Sequence, residues 1–533
     1  MVKVLASFII VISLFFINKY YHREGLLAHH ISSLHQSYLI KQSDTGRLMY
    51  GFYANEGESD KINRIPDFSY AGYMGGGVRI PNVPVKLVLE PKPGDNKKQI
   101  QDAIDRVSSM SIDNSGFRGK ILLKAGNYHI NGSLRIKTNG VILAGEGHDE
   151  KGTVLIATQE SKHTFIYLGN ASNKSKKIED TATRITSDYV ATGSNSFTVE
   201  TALKYEVGDT IVIQKTPNED WIIRLGMSQY GWTPEAYQVL HERIISGIKG
   251  NQVTINIPIV DPIKAKDGGG TIYKFISNRA TKQSGIENIR LVSSYMHDED
   301  EEHGWNGIKL QMAENCWVRN VTVLYFGFSA VTVDKNSAFN TIEDCAMLDP
   351  MAKTEGKRKY SFNMGLGSFN LFQRCYTRGG RHDFVTGARV SGPNVFLDCY
   401  ADSAKSDIGP HQRWATGTLF DNVQGQNLRV RNRSRRGSKT RHGWAGAQTM
   451  FWNCVSTSSM GMTVENPPGS INWIVGGQAA QVIGNGYIEL LGKQVLPRSL
   501  YLAQLQNRLG LEAVINVTTP MQRSGTIYSN LIR

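Results

Sequence analysis

The chain has 533 residues, 40% hydrophobic and 20% charged, the make-up of a soluble globular protein long enough for one large solenoid or two to three ordinary domains. Its 53 glycines suit a turn-rich β architecture and speak against a helical bundle. A formal charge of +13 favours an anionic partner, whether nucleic acid, an anionic lipid surface or an acidic polysaccharide.

The N-terminus narrows that choice. Met1-Val-Lys3 precedes an apolar run from Val4 to Ile17 that is short for a membrane span, so residues 1–22 read as a secretory signal, with an uncleaved membrane anchor as the alternative. No Cys closes the run, which argues against a lipoprotein. A secreted or periplasmic protein leaves nucleic acid a poor partner.

Gly94 to Val107 places Ile100, Ala103, Ile104 and Val107 on one face of a helix that Asp95 or Asn96 can cap. Short β runs broken by Gly follow over Gly119–Tyr128, Gly132–Ile136 and Gly140–Gly145. Residues 65–182 read as the first coils of a solenoid, with the helix covering the open edge. Residues 183–275 break the pattern with hairpin-like runs at Thr201–Ile213 and Ile244–Asn256, a β-rich insertion that can form one wall of a groove.

Residues 276–490 carry a repeat. Ile286-Glu-Asn-Ile289, Val318-Arg-Asn-Val321, Ile342-Glu-Asp-Cys345, Phe372-Gln-Arg-Cys375, Phe396-Leu-Asp-Cys399, Leu419-Phe-Asp-Asn422 and Phe451-Trp-Asn-Cys454 recur at intervals from the twenties to the low thirties. Such a period, without helical i, i+3, i+4 patterning, predicts a parallel β-helix with one coil per repeat. The fourth positions then stack as an interior column: Cys345, Cys375, Cys399, Asn422 and Cys454. A disulfide or metal site is the alternative for the five Cys, which include Cys316, but no CxxC pair supports zinc. Residues 491–533 read as a C-terminal capping segment, with a helix at 498–509 over the last coil.

The stretch GDNKKQIQDAID followed by GKILLKAGNYHINGSLRIKTNGVILAGEG resembles the N-terminal part of the pectate-lyase-like superfamily, with Lys124 where the usual LPAG motif has Pro. The resemblance runs from about Tyr70 to about Gly486. It implies an all-β, right-handed parallel β-helix with an N-terminal capping helix. RKYSF, GRHDFVTGARVSGPNVFLDC, GPHQRWATGTLFDN and HGWAGAQTMFWNC resemble bacterial secreted proteins of the same class, to which no substrate is attached. Characterised lyases of the superfamily use Lys or Arg as base, often with calcium.

Polar residues concentrate ahead of the repeat's rungs: Tyr360, then Arg381-His382-Asp383, then His411 to Trp414, then His442 and Trp444, with His303 and Trp305 earlier. One coil on, Arg381 falls beside Lys405, Asp383 beside Asp407 and Arg389 beside Arg413. A cationic, aromatic, imidazole-rich face running along the axis suits an anionic sugar polymer: Arg pairs with carboxylates, aromatics stack on rings and His exchanges protons. Arg381, His382, Asp383, Lys405, His411 and Arg413 are the catalytic candidates, and Tyr360, Arg389, Trp414, His442 and Trp444 the substrate-binding ones.

This face predicts a lyase acting by β-elimination on a uronate-containing polysaccharide. The alternatives are a glycoside hydrolase using Asp383 and Asp407, with Asp402 or Glu465, and a non-catalytic glycan-binding solenoid. Plainer readings stand beside each residue. Asp383 can simply orient His382 or pair with Arg381, Trp444 and Trp452 can be packing, and the basic run Arg429–Arg441 can be a solvated loop. The four His at 303, 382, 411 and 442 are a whole coil or more apart, which argues against a first metal shell. The acidic run His297–His303 reads as an exposed loop or a calcium site.

Overall fold

The computed structural model describes residues 35–172, 176–276, 281–334, 336–434 and 441–533, so the expected signal or anchor lies outside the described residues. The repeated runs pair in parallel with their counterparts: Ile286 with Val318, Val318 with Ile342, Ile342 with Phe372, Phe372 with Phe396, Phe396 with Phe420, and Phe420 with Phe451. Crossovers between parallel strands are right-handed, and the chain is a right-handed parallel β-helix.

Each full coil lays strands on three faces. The first face runs from Val85–Leu89 to Tyr487–Glu489, and the second from Gly126–Ile130 to Val455–Ser456. The third runs from Leu134–Ile136 to Gly409–Pro410 and passes on through Leu428–Val430 and Met462–Val464 to Val482–Ile483. The corner between the first two faces turns on one residue at positive φ: Asn288 (57°), Asn320 (51°), Asp344 (54°), Arg374 (51°), Asp398 (50°), Asn422 (52°) and Asn453 (49°). Asn and Asp tolerate this conformation best. Arg374 takes it with its guanidinium held by Glu343 and Asp344, each at 2.8 Å.

The residue after that corner points inward, which places Cys345, Cys375, Cys399, Val423 and Cys454 in the core. The expected place of Asn422 in this column is corrected by one position. Phe396 pairs with Phe420, so Asn422 takes the corner and donates outward to the Arg498 carbonyl at 2.9 Å. Inside, Phe372, Phe396, Phe420 and Phe451 stack with centroids 5.0–5.1 Å apart. At another corner the side-chain oxygens of Asn340, Asn370 and Asn394 accept from the backbone N–H of Cys316, Asn340 and Asn370 at 2.9–3.1 Å.

The N-terminal helix spans Lys97–Ser108 and buries Ile100, Ala103, Ile104 and Val107 against the first coils. Asp95 accepts from the Lys97 N–H at 2.9 Å, while Asn96 ties the preceding turn through Lys92 and Gly94. The insertion is antiparallel, from Lys176–Lys177 to Gly270–Ile276, with a core of its own. It leans on the solenoid where Trp221, Trp232 and Tyr237 pack with Trp414 and Ala447.

The C-terminal helix, Leu500–Leu509, lies along the flank rather than over the last coil. The first face carries Leu371, Val395, Leu397, Leu419, Met450 and Trp452 on its outer side, and these need cover. Leu500, Tyr501 and Leu505 supply it, together with Phe68 and Ala71 from the N-terminal segment. Asp421 accepts from Ser499 Oγ at 2.7 Å and from the Tyr501 N–H at 2.9 Å, which fixes the start of the helix.

All five cysteines are free and buried, and burial drives the Cys316 thiol up to about 12 and those of Cys345 and Cys375 well above their ordinary range. A thiol-reactive dye should therefore modify none of them in the native protein and all five after denaturation. Rapid native modification of any one, or fewer than five after denaturation without reductant, would contradict this packing.

Candidate functional site

Strands of the third face begin with a ring followed by a small polar residue: Trp305-Asn306, Phe328-Ser329, Tyr360-Ser361 and His382-Asp383. Parallel register sets these rings one above the next. Trp305 and Phe328 stack at 6.4 Å and Phe328 and Tyr360 at 5.2 Å. Tyr360 then meets His382 edge-on at 4.9 Å and His411 at 5.3 Å. His382 and His411 lie 4.5 Å apart, and His442 closes the column 5.1 Å from His411. At the far end Lys162 Nζ sits 3.9 Å over Trp305.

The polar contacts concentrate at the imidazole end. His382 Nδ1 lies 3.0 Å from Asp407 Oδ1 and 2.9 Å from the Asp407 carbonyl, and Arg433 grips Asp407 Oδ2. Tyr360 Oη and His411 Nε2 are hydrogen-bonded at 3.0 Å. Burial alone would raise the Asp407 carboxyl, but Arg433 and His382 outweigh it and hold it well below the usual carboxylate range. Burial, reinforced by Arg433 and His382, drives His411 down to about 2, so its ring is neutral at ordinary pH. His442 is lowered by burial and by Arg413 and Arg433. Burial raises the Tyr360 hydroxyl, and the neighbouring Arg381 guanidinium opposes that rise. Burial and Lys405 pull the half-buried Lys359 ammonium down.

The structure thus gathers Tyr360, Arg381, His382, His411 and His442 at one place, with exposed Lys405 beside Lys359 and half-buried Arg413 beside His442. Other expected residues stand elsewhere. Asp383 is fully buried and turns inward to Ser361 Oγ at 2.6 Å, where burial lifts its carboxyl to about 6; it pairs with neither His382 nor Arg381. Trp414, 2% exposed, lies under Trp221 and donates to Asp261 at 3.3 Å, so it offers no face to a sugar. Arg389 reaches the Ala236 carbonyl of the insertion. Trp444 donates to the Leu225 carbonyl at 3.0 Å and lines a separate pocket. Tyr360 has one ring face covered by Phe328 and its hydroxyl bonded to His411.

The carboxylates proposed for hydrolysis are not gathered. Asp383 and Asp407 are buried, Asp402 sits on the second face with Tyr376, and Glu465 lines the pocket of Trp444. In the run 297–303, Asp300 accepts from the Met296 and Glu302 N–H groups, and Glu301 is taken by Arg358 and Lys162. Among the described residues no group of three or more His, Cys, Asp or Glu is arranged to hold a metal ion. The roles of Arg433 and Phe328 were missed; the ring-plus-small-polar pattern at each strand start is the signal that finds Phe328.

No family model and no curated protein matches the chain. Among solved structures, it is similar to the tailspike protein gp49 of Pseudomonas phage LKA1, at 14% identity and TM-score 0.44 over 74% of this chain and 69% of that one. An alginate lyase from Paenibacillus sp. FPU-7 aligns at 8% identity and TM-score 0.37, over 76% of this chain and 97% of its own. A polygalacturonase from Erwinia carotovora ssp. carotovora aligns at 9% identity and TM-score 0.36, over 79% and 96%.

Because His411 refuses a proton that the unfolded chain accepts below about pH 6.5, it removes stability as pH falls through that value. In His411→Gln the fall in unfolding free energy from about pH 6.5 to about pH 5 should be shallower, by up to ~1.4 kcal/mol per pH unit. Equal slopes for parent and variant, measured by denaturant titration, would contradict a neutral buried ring.

Proposed function

We propose that this protein is a secreted polysaccharide lyase that cleaves an acidic, uronate-containing polysaccharide by β-elimination. The observation that carries this reading is the Tyr360–His411 hydrogen bond, set beside the Arg381 guanidinium.

β-Elimination needs an acceptor for the C5 proton, cations for the charge that grows on the uronate carboxylate, and a proton for the leaving oxygen. Tyr360 is half-buried and its hydroxyl is assigned to meet the sugar, with His411, 9% exposed, hydrogen-bonded to it. Tyr360 Oη, as the phenolate that the Arg381 guanidinium favours and the neutral His411 ring hydrogen-bonds, takes the C5 proton. The C5–H electron pair forms the C4=C5 double bond while the C4–O bond breaks. Tyr360 then gives that proton to the leaving oxygen and returns to the phenolate. His411 stays neutral throughout and holds Tyr360 Oη in place through their hydrogen bond. Arg381, with Lys359, Lys405 and Arg413, faces the uronate carboxylate. His382, fixed by Asp407 and Arg433, acts as a positioning residue against Tyr360.

Incubation with a panel of uronate polymers should release an unsaturated product that absorbs in the ultraviolet. Tyr360→Phe and His411→Ala should each lower kcat by about 10²–10⁴ with unchanged circular dichroism. Reducing ends released without the unsaturated product would identify a hydrolase. Binding without cleavage would identify a glycan-binding solenoid. Full activity in both variants would overturn the site assignment.

A further inference from the structure

The start of the third face carries cations as well as rings. The Arg381 N–H donates to the Lys359 carbonyl at 2.8 Å, and the Lys405 N–H to the Gly380 carbonyl at 2.8 Å. Lys359, Arg381 and Lys405 therefore follow one another along the axis, one per coil, at a rung spacing of about 4.8 Å. Lys359 precedes Tyr360 in sequence, and the Arg381 guanidinium lies beside the Tyr360 hydroxyl, which places the row at the candidate site.

Neighbouring arginines are spent on carboxylates: Arg358 on Glu301, Arg378 on Asp349 and Arg433 on Asp407. The three cations of the row form no ion pair among the described residues. Lys359 Nζ donates to the Thr354 hydroxyl at 3.2 Å. Residues 173–175, 277–280, 335 and 435–440 contain no Asp or Glu, and residues 1–34 contain only Glu24. Asp298 and Glu299, on an exposed loop, act on Lys359 at longer range and less strongly than burial and Lys405 do.

Like charges held a rung apart repel, and an anion between them removes that penalty. One carboxylate can bridge two adjacent rungs. Its two oxygens do not cover a row whose ends lie two rungs, about 10 Å, apart.

We infer that this row takes two acidic groups of the polymer at once, the carboxylate of the uronate that is cleaved and a carboxylate or sulfate on the adjacent ring. That the first group belongs to the reacting uronate rests on the lyase reading; the row's need for a second does not.

Titration calorimetry on the full chain with three disaccharides tests the row. Digalacturonate carries two carboxylates, monosulfated chondroitin disaccharide a carboxylate and a sulfate, and unsulfated chondroitin disaccharide one carboxylate. At least one doubly acidic probe should bind about tenfold tighter than the singly acidic one. Digalacturonate as the tightest ligand assigns the second group as a carboxylate, and the sulfated probe assigns it as a sulfate. Lys405 is exposed, so Lys405→Gln spares the fold; it should erase the preference, and Lys405→Arg should keep it. No binding of any probe, equal affinity for all three, or a preference that survives both Lys405→Gln and Lys359→Gln would each overturn the inference. Cleavage assays on the parent polymers separate it from the lyase reading. The preference without cleavage of any of them would keep the row and refute the lyase. Cleavage with equal affinity for all three probes would keep the lyase and refute the row.

Discussion

The register of one coil upon the next is the constraint on which the rest depends. It is held at a corner where a single residue per coil sits at positive φ, from Asn288 to Asn453. That corner fixes which side chain faces in: Cys or Val after the corner, Phe on the strand before it. A slip of one residue would turn the interior column out to solvent. The same register stacks the outer rings of the third face, so the order that builds the core also brings His382, His411 and His442 within 5.1 Å of their neighbours, though they are far apart in sequence.

The site's electrostatics follow from this stacking. Rings packed against one another lose water, and loss of water drives His411 towards neutrality. Arginines around the cluster deepen that effect and leave a positive surround, in keeping with a chain of net charge +13. Asp407 is the exception that proves stable, because Arg433 and His382 together outweigh the cost of burying a carboxylate. The result is a tyrosine hydroxyl held by a neutral imidazole beside cations.

Much of this is legible in the sequence where a feature repeats. The rungs ending in Cys announce the coil, and the recurrent His and Arg announce one polar face. What escaped depends on contacts between distant segments. Trp414 reads like a sugar platform until the insertion's Trp221 covers it. The helix at Leu500–Leu509 reads like an end cap, but the apolar outer side of the first face claims it. Asn422 slipped by one because LFDN lacks the Cys that marks the inward position. Asp383 looks like a partner of His382, yet adjacent residues on a strand point to opposite sides, and Ser361 takes it inside.

The claim at the centre is that Tyr360, backed by neutral His411, carries the proton of an elimination reaction. A crystal structure of Tyr360→Phe soaked with a uronate oligosaccharide tests it most directly. A uronate with C5 about 3–3.5 Å from the position of the missing hydroxyl and its carboxylate against Arg381 is the predicted result. An oligosaccharide seated elsewhere on the solenoid, or one that turns C5 away from residue 360, would contradict it.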